Sequence, residues 1–170
     1  TPYARKRKAA EDAFRKLRKW EGDRIPEGGF TLEHLQKHRL KLPTEEKWMA
    51  EHVLTENQRV AGAVAAFRAG DHAAFGKILN ESHISLRDRV GNSTQELEAM
   101  RNLLLGTAGV FGARVTGAGF GGCILAWVRE QDAESAADAV RQGYRARFSA
   151  KGDVFSVRTG PPAGLLEPGS

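Results

Sequence analysis

Apolar side chains recur at helical spacing through the N-terminal part of the chain, which predicts a series of amphipathic helices. The first predicted helix covers residues 4–20 and ends at Gly22. A short helix over residues 31–40 comes next, and a longer one over residues 44–69 has Gly70 as the C′ residue, directly after its C-terminal cap. The apolar stripe of the first helix consists of Ala9, Ala13, Phe14, Leu17 and Trp20, and that of the long helix of Val53, Val60, Val64 and Phe67.

Two capping signals place the next helices. Asp71 is the predicted N-cap of a helix that runs toward Arg89, because its side chain can accept a hydrogen bond from a free backbone amide. Ser93 and Glu96 fit the capping-box pattern, in which each side chain bonds the other's backbone. This pattern predicts a helix over residues 93–105.

From residue 112 the pattern becomes strand-like. A strand leads into a glycine-rich stretch, and the apolar run 123–128 leads out of it as a second strand. An alanine-rich helix over residues 132–148 and a last strand over 154–158 complete the predicted elements. This order predicts an α+β fold in which helices pack on one face of an antiparallel sheet, and residues 1–170 are predicted to form one domain.

The glycine-rich stretch is the most informative part of the sequence, since residues 112–123 contain five glycines. Glycine loses more backbone entropy on folding than other residues, so this density is typical of backbone with positive φ or of close approach to another group. We call residues 116–122 the glycine loop. Its members, which are the main candidate functional residues, are Thr116, Gly117, Ala118, Gly119, Phe120, Gly121 and Gly122.

A dinucleotide-binding interpretation of this loop is not supported. Gly117, Gly119 and Gly122 satisfy the bare spacing G-x-G-x-x-G. That fingerprint requires a helix directly after the glycines, whereas residues 123–128 are strand-like. A plain hairpin connection is also a poor explanation, because hairpin loops usually have about two to five residues.

The run Thr116-Gly-Ala-Gly-Phe-Gly-Gly-Cys resembles the third signature motif of the GHMP small-molecule kinases, in the form found in their galactokinase branch. Four further segments, in the same order, are similar to the C-terminal half of galactokinases, so the resemblance covers nearly the whole chain. These segments are residues 3–7, 56–60, 82–88 and 93–97.

The resemblance implies a ferredoxin-like GHMP kinase C-terminal domain. It implies an enzyme that transfers the γ-phosphoryl group of ATP to the anomeric hydroxyl of galactose in a Mg-dependent reaction. It also implies that the glycine loop lies at the interface with the enzyme's own N-terminal domain, and that Tyr3, next to a basic helix, contacts the sugar.

The segments that cradle ATP, bind the sugar and supply the catalytic Asp lie upstream in that family and do not occur here. We therefore expect a fragment or one half of a split enzyme, inactive alone, with ATP and Mg bound mainly by the other half and no catalytic residue in this chain. Two alternatives remain open. One is another GHMP sugar 1-kinase, acting on N-acetylgalactosamine, galacturonate or arabinose, and the other is a non-catalytic regulatory or interaction protein.

Charge and composition narrow the function classes further. The formal net charge is +5, but residues 1–20 hold eight basic and two acidic side chains and carry +6, so residues 21–170 sum to −1. This local basic helix has no accompanying aromatic platform, and we expect no nucleic-acid partner. No apolar run approaches the about 18 residues of a membrane span, so no membrane partner is expected. The single cysteine fits a reducing compartment and predicts a cytoplasmic protein.

Several other residues have an ordinary interpretation. Cys123 opens an apolar strand and is expected to be buried and inert. His34 and His38 have helical i, i+4 spacing, but without a third ligand they predict no metal site. Glu81, Ser82 and His83 are expected on a helix surface, and Arg114 is interpreted as a structural strand residue rather than a phosphate clamp.

Overall fold

A computed structural model describes residues 1–26, 29–148 and 152–158 of the chain. Six α-helices and two strands lie within these residues, and a π-helical turn over Leu86–Val90 extends the fourth helix. The helices are α1 (Pro2–Glu21), α2 (Leu32–His38), α3 (Thr44–Arg68), α4 (His72–Ser85), α5 (Gln95–Leu105) and α6 (Ala133–Arg147), and the strands are β1 (Val110–Thr116) and β2 (Cys123–Val128). None of the described helices combines the length and apolarity needed to cross a membrane.

The two predicted N-caps, Asp71 and Ser93, have different outcomes. Asp71 caps α4 as predicted, since its carboxylate accepts the backbone N–H of Ala74 at 2.9 Å. The predicted N-cap Ser93 is wrong, because Thr94 is the residue that caps α5 by accepting the N–H of Leu97. Ser93 instead donates its hydroxyl to the carboxylate of Glu98 at 2.5 Å.

The core between α1 and α3 follows the predicted stripe of α1, but only partly that of α3. Ala13 and Leu17 of α1 are fully buried against the N-terminal half of α3. The C-terminal half of α3 differs from the prediction. Val60, Val64 and Phe67 are about half exposed or more, at 62%, 46% and 57%. The reason is that the buried side of α3 is formed by Met49, Ala50, Leu54 and Ala66.

The two strands form an antiparallel sheet in which Ala113 lies opposite Ala126 and Val115 opposite Ile124. Helices α5 and α6 pack on this pair through a cluster that includes Leu104, Ala113 and Val140. The α+β class is therefore confirmed, as a helix-rich fold with a two-stranded sheet.

The predicted last strand is wrong, because residues 152–158 pair with no strand. The Arg141 guanidinium on α6 donates to the Val154 carbonyl at 3.0 Å, and Val154 packs on the core beside α6. A side chain of α6 therefore bonds the Val154 carbonyl of this segment, where a neighbouring strand would otherwise do so.

Side chains close the outer edge of β1, the edge that faces away from β2. Asn80 of α4 accepts the Ala113 N–H at 3.1 Å, and His83 Nδ1 accepts the Val115 N–H at 3.3 Å. Arg101 of α5 donates to the Ala113 carbonyl at 2.9 Å. Three buried or partly buried polar side chains thus replace the hydrogen bonds that a third strand would supply.

Two glycines allow α4 to come this close to β1. A Cβ atom on Gly76 would lie 2.4 Å from the Phe111 carbonyl carbon, and one on Gly112 would lie 2.0 Å from the Gly76 carbonyl oxygen. Such distances are far below any van der Waals contact. The backbones of helix and strand therefore touch at a point where only glycine fits.

The outer edge of β2 is open. Across residues 1–26, 29–148 and 152–158, no hydrogen bond to this edge comes from a strand or a side chain. A groove of about 760 Å³ is lined by β2, by residues 153–157 and by Phe120, Gly121 and Gly122 of the glycine loop. Its lining from α5 and α6 is mainly apolar and includes Met100, Leu104, Ala136, Ala137 and Tyr144.

Candidate functional site

The glycine loop has the backbone that its composition predicts. Gly117, Gly119, Gly121 and Gly122 all have positive φ, at 79°, 75°, 122° and 90°. Phe120, at φ 58°, is the one non-glycine residue with positive φ in the described part of the chain. Five left-handed residues within six are incompatible with a strand or helix, so the loop has a special conformation rather than a simple turn.

Glycine is required at these positions for two different reasons. At Gly117, Gly121 and Gly122 no atom lies within 4 Å of where a Cβ would be, so the backbone angle alone demands glycine. At Gly119 a Cβ would also lie 2.4 Å from the backbone oxygen of Asn92. The loop thus combines open backbone with one point of close contact to the protein.

Asn92 provides that contact. Its carbonyl accepts the Phe120 N–H at 2.6 Å, and its side-chain Nδ2 donates to the Ala118 carbonyl at 3.3 Å. Asn92 is 3% exposed, and its Oδ1 is buried without a hydrogen-bond partner among the described residues. Sequence reasoning missed this residue. The Gly91-Asn92 dipeptide signals a helix end, but nothing local indicates a contact with a loop 26 residues away.

A buried polar cluster supports the segment that carries Asn92. His83 lies with its Nε2 2.7 Å from Glu98, which also accepts the hydroxyl of Ser93. Burial lowers the pKa of His83, against the opposing effect of Glu98. Burial acts to raise the pKa of Glu98, but hydrogen bonds from Ser93 and His83 outweigh it and leave the pKa lowered. A neutral His83 therefore donates from Nε2 to an ionised Glu98 while Nδ1 accepts from Val115.

The predicted surface positions of Ser82 and His83 are wrong, since they are 2% and 0% exposed. The close approach of α4 to β1 turns this face of α4 inward. Ser82 donates to Glu56 at 2.8 Å, and the same carboxylate lies 3.4 Å from the guanidinium of Arg114. Arg114 is thus held in an ion pair within the protein, and its structural role stays an interpretation.

Tyr3 lies in the first turn of α1 rather than before the helix, and it is 55% exposed. Within the described residues no hydrogen bond joins it to the glycine loop. Behind it, Arg5 and Lys6 both lie within 3.3 Å of Glu45 on α3. The contact of Tyr3 with the sugar therefore stays a prediction.

The expected burial of Cys123 is wrong, because its side chain is exposed. Cys123 opens β2 next to the loop, on the same side of the strand as Leu125, which is 45% exposed. The apolar composition of this strand suggested burial on both faces. One face is only partly covered where β2 leaves the glycine loop, and that difference exposes the thiol.

His34 and His38 have separate structural roles. His34 Nδ1 accepts the backbone N–H of Thr31 at 3.1 Å and so caps α2. His38 Nε2 lies 2.5 Å from the buried carboxylate of Glu21. Over the ranges that the structure describes, no group of three or more His, Cys, Asp or Glu side chains could hold a metal ion.

Comparison with known proteins agrees with this geometry. Residues 63–146, which hold α4, α5, both strands and the glycine loop, match the family model described as GHMP kinases C terminal. The chain carries a GHMP kinase C-terminal domain. The resemblance inferred from the glycine loop is therefore confirmed.

The relatives are galactokinases. The chain is 32% identical over 164 residues to "Galactokinase" of Roseiflexus sp. (strain RS-1), which covers 96% of this chain and 42% of that protein. It is 41% identical over 113 residues to "Galactokinase" of Bos taurus, covering 66% and 29%. The structure of Lactococcus lactis galactokinase complexed with galactose superposes with a TM-score of 0.77 at 30% identity, covering 89% of this chain and 39% of that one. The chain thus spans less than half the length of these relatives.

Proposed function

We propose that this GHMP kinase domain is the C-terminal part of a galactokinase-like sugar 1-kinase, which transfers the ATP γ-phosphoryl group to the anomeric hydroxyl of galactose. The observation that carries the proposal is the conformation of the glycine loop. Its backbone is open at Gly117, Gly121 and Gly122. Within the described structure, Phe120 is the only residue of 118–122 whose amide donates to another protein group. The remaining amides can approach an anionic group closely.

Phosphoryl transfer depends on positioning and on stabilising the charge of the transferring group. The glycine loop would contribute backbone amides that can approach the transferring group closely. Tyr3, exposed on the first turn of α1, would offer its phenol to a sugar hydroxyl. ATP and Mg²⁺ belong to the family's reaction, but the described residues form no group that fits a metal ion, so we derive no step through Mg²⁺.

The partner in this proposal is the remaining length of the galactokinase-like protein. Phe120, Gly121 and Gly122 of the glycine loop belong to the lining of the groove beside β2, so a domain seated on the groove would also contact the loop. An apolar groove beside an unpaired strand edge is the kind of surface that another part of a protein covers. The exposed face of the loop would then lie between the two domains, where both can contact the substrates.

The test is a hybrid enzyme in which residues 1–158 replace the matched part of the Lactococcus lactis galactokinase. We expect the hybrid to form galactose 1-phosphate from ATP, Mg²⁺ and galactose, and the 170-residue chain alone to form none. A folded hybrid that does not phosphorylate galactose would contradict the proposal.

A pair of alanine variants of the hybrid separates the loop from general stability. Gly121→Ala changes a residue with φ 122° that has no neighbour within 4 Å, whereas Gly62→Ala lies in the middle of α3. We expect kcat to fall on the order of a hundredfold for Gly121→Ala, the cost of misplacing a site by about 1 Å. Gly62→Ala should retain normal kcat. Normal kcat in both variants would show that the loop has no part in catalysis.

A further inference from the structure

We infer that Asn92 is a positioning residue that fixes the tip of the glycine loop, an inference that rests on the proposed role of the loop in phosphoryl transfer. The strands β1 and β2 hold only the base of the loop. Within the described residues, the two bonds from Asn92 are the only hydrogen bonds that join residues 117–122 to the rest of the protein. The tip is therefore held from outside the sheet by one residue.

The two bonds bracket Gly119. One fixes the Ala118 carbonyl and the other fixes the Phe120 amide, so the peptide units on both sides of Gly119 are oriented together. The bond to Phe120, at 2.6 Å, also holds the one non-glycine residue with a left-handed backbone in the described chain. A conformation of this kind persists only where the surroundings impose it.

Asn92 is itself rigidly placed. It follows Gly91, whose φ of 70° ends the π-helical turn, and the N–H groups of Gly91 and Asn92 both donate to the Leu86 carbonyl, at 2.9 and 3.4 Å. On the other side Ser93 is bound to Glu98 at the start of α5. The π-helical turn and the start of α5 therefore fix the position of Asn92, and Asn92 in turn fixes the position of the loop tip.

The amide orientation of Asn92 rests on a single bond. Its Nδ2 donates to Ala118, while its Oδ1 is buried without a partner among the described residues. Replacing Nδ2 by an oxygen would place one hydrogen-bond acceptor against another, the Ala118 carbonyl. Asn92→Asp therefore removes the side-chain bond and keeps the shape of the side chain, and Asn92→Ala removes the bond together with the side chain.

The experiment is amide hydrogen exchange measured by NMR on this chain. Both Asn92→Ala and Asn92→Asp remove the Nδ2 bond to the Ala118 carbonyl and keep the backbone bond from Phe120 to the Asn92 carbonyl. Because the loop tip then loses one of its two holding bonds, we expect it to open more often and exchange of the Phe120 amide to accelerate by about fivefold or more. The Val115 amide, which is bound to His83, should keep its protection. Asn102→Ala, on the exposed side of α5, is the matched control and should leave both amides unchanged.

Three results would overturn the inference. These are unchanged exchange at Phe120, an equal loss of protection at Phe120 and Val115, and failure of both Asn92 variants to fold. The last two would assign Asn92 a role in holding the whole fold rather than the loop. Because amide exchange requires no catalysis, this outcome is independent of whether the hybrid enzyme phosphorylates a sugar.

Discussion

The outer edges of β1 and β2 differ in what satisfies their backbone. Along β1, the polar side chains of Asn80, His83 and Arg101 bond the free N–H and C=O groups. Along β2, the described residues offer no equivalent group, and an apolar groove lies alongside. Within the described residues, side chains of this domain therefore hydrogen-bond one edge of the sheet and not the other.

The difference has a physical basis. A buried polar side chain is costly unless its hydrogen bonds are satisfied, so three such residues stabilise the fold only while α4 and α5 hold them against β1. An open strand edge beside apolar surface has the opposite property, because it becomes more stable when another chain covers it. The closed edge fixes the strand that leads into the glycine loop, and the open edge suits a second domain.

The largest expected effect comes from separating α4 from β1. Gly76→Ala places a Cβ 2.4 Å from the backbone of Phe111, and backbone cannot move aside as a flexible side chain would. We expect the free energy of unfolding to fall by about 3 kcal/mol, the upper range for overpacking. Urea denaturation followed by circular dichroism measures it.

Gly62→Ala is the control for this prediction. Its Cβ would lie 3.4 Å from the Ile78 side chain, within α3, where alanine favours the helix by about 0.5–1 kcal/mol over glycine. We therefore expect Gly62→Ala to keep or slightly raise the free energy of unfolding, and the same result for Gly76→Ala would mean that α4 and β1 do not touch as described.

A second, smaller effect concerns protonation at the closed edge. His83 Nδ1 accepts from Val115, so a proton can enter this nitrogen only if that bond breaks. Burial lowers the pKa of His83 in the folded chain, where Glu98 opposes the shift and Arg101 and Arg87 add to it. In the unfolded state the histidine has its ordinary pKa of about 6.5 and takes up a proton more readily than in the folded state. The free energy of unfolding should therefore be highest above that pH and decline as the pH falls below it.

Urea denaturation at pH 7.5 and pH 5.5 tests this sign. Glu98, whose pKa is lowered, stays ionised across the window and does not contribute to the change. His83→Gln should be less stable at both pH values and show a smaller loss between them. An unchanged loss in that variant would place the effect on His52, whose pKa burial also lowers.

Sequence patterns predicted the local features of this molecule well. The helical spacing of α1, the cap at Asp71 and the strand-loop-strand order around the glycines are all confirmed, because they depend on residues close together in the sequence. The errors arise where distant elements meet. The burial of His83 depends on a glycine contact between α4 and β1, and Asn92 touches the loop 26 residues away. The spacing of residues on one helix contains no information on such partners.

The smallest effect on stability is expected at the open edge, where the readout is association. Leu125 of β2 is 45% exposed and lines the groove, so Leu125→Lys should change the free energy of unfolding by less than about 0.5 kcal/mol. A lysine on an exposed strand edge opposes pairing with another chain. We therefore expect this chain to self-associate with rising concentration in sedimentation experiments, and Leu125→Lys to do so less.

Leu40→Lys, at a position 98% exposed and remote in sequence from the sheet, is the matched control and should associate like the unchanged chain. Equal association of all three proteins, or a chain that stays monomeric at every concentration, would show that the edge of β2 does not promote self-association.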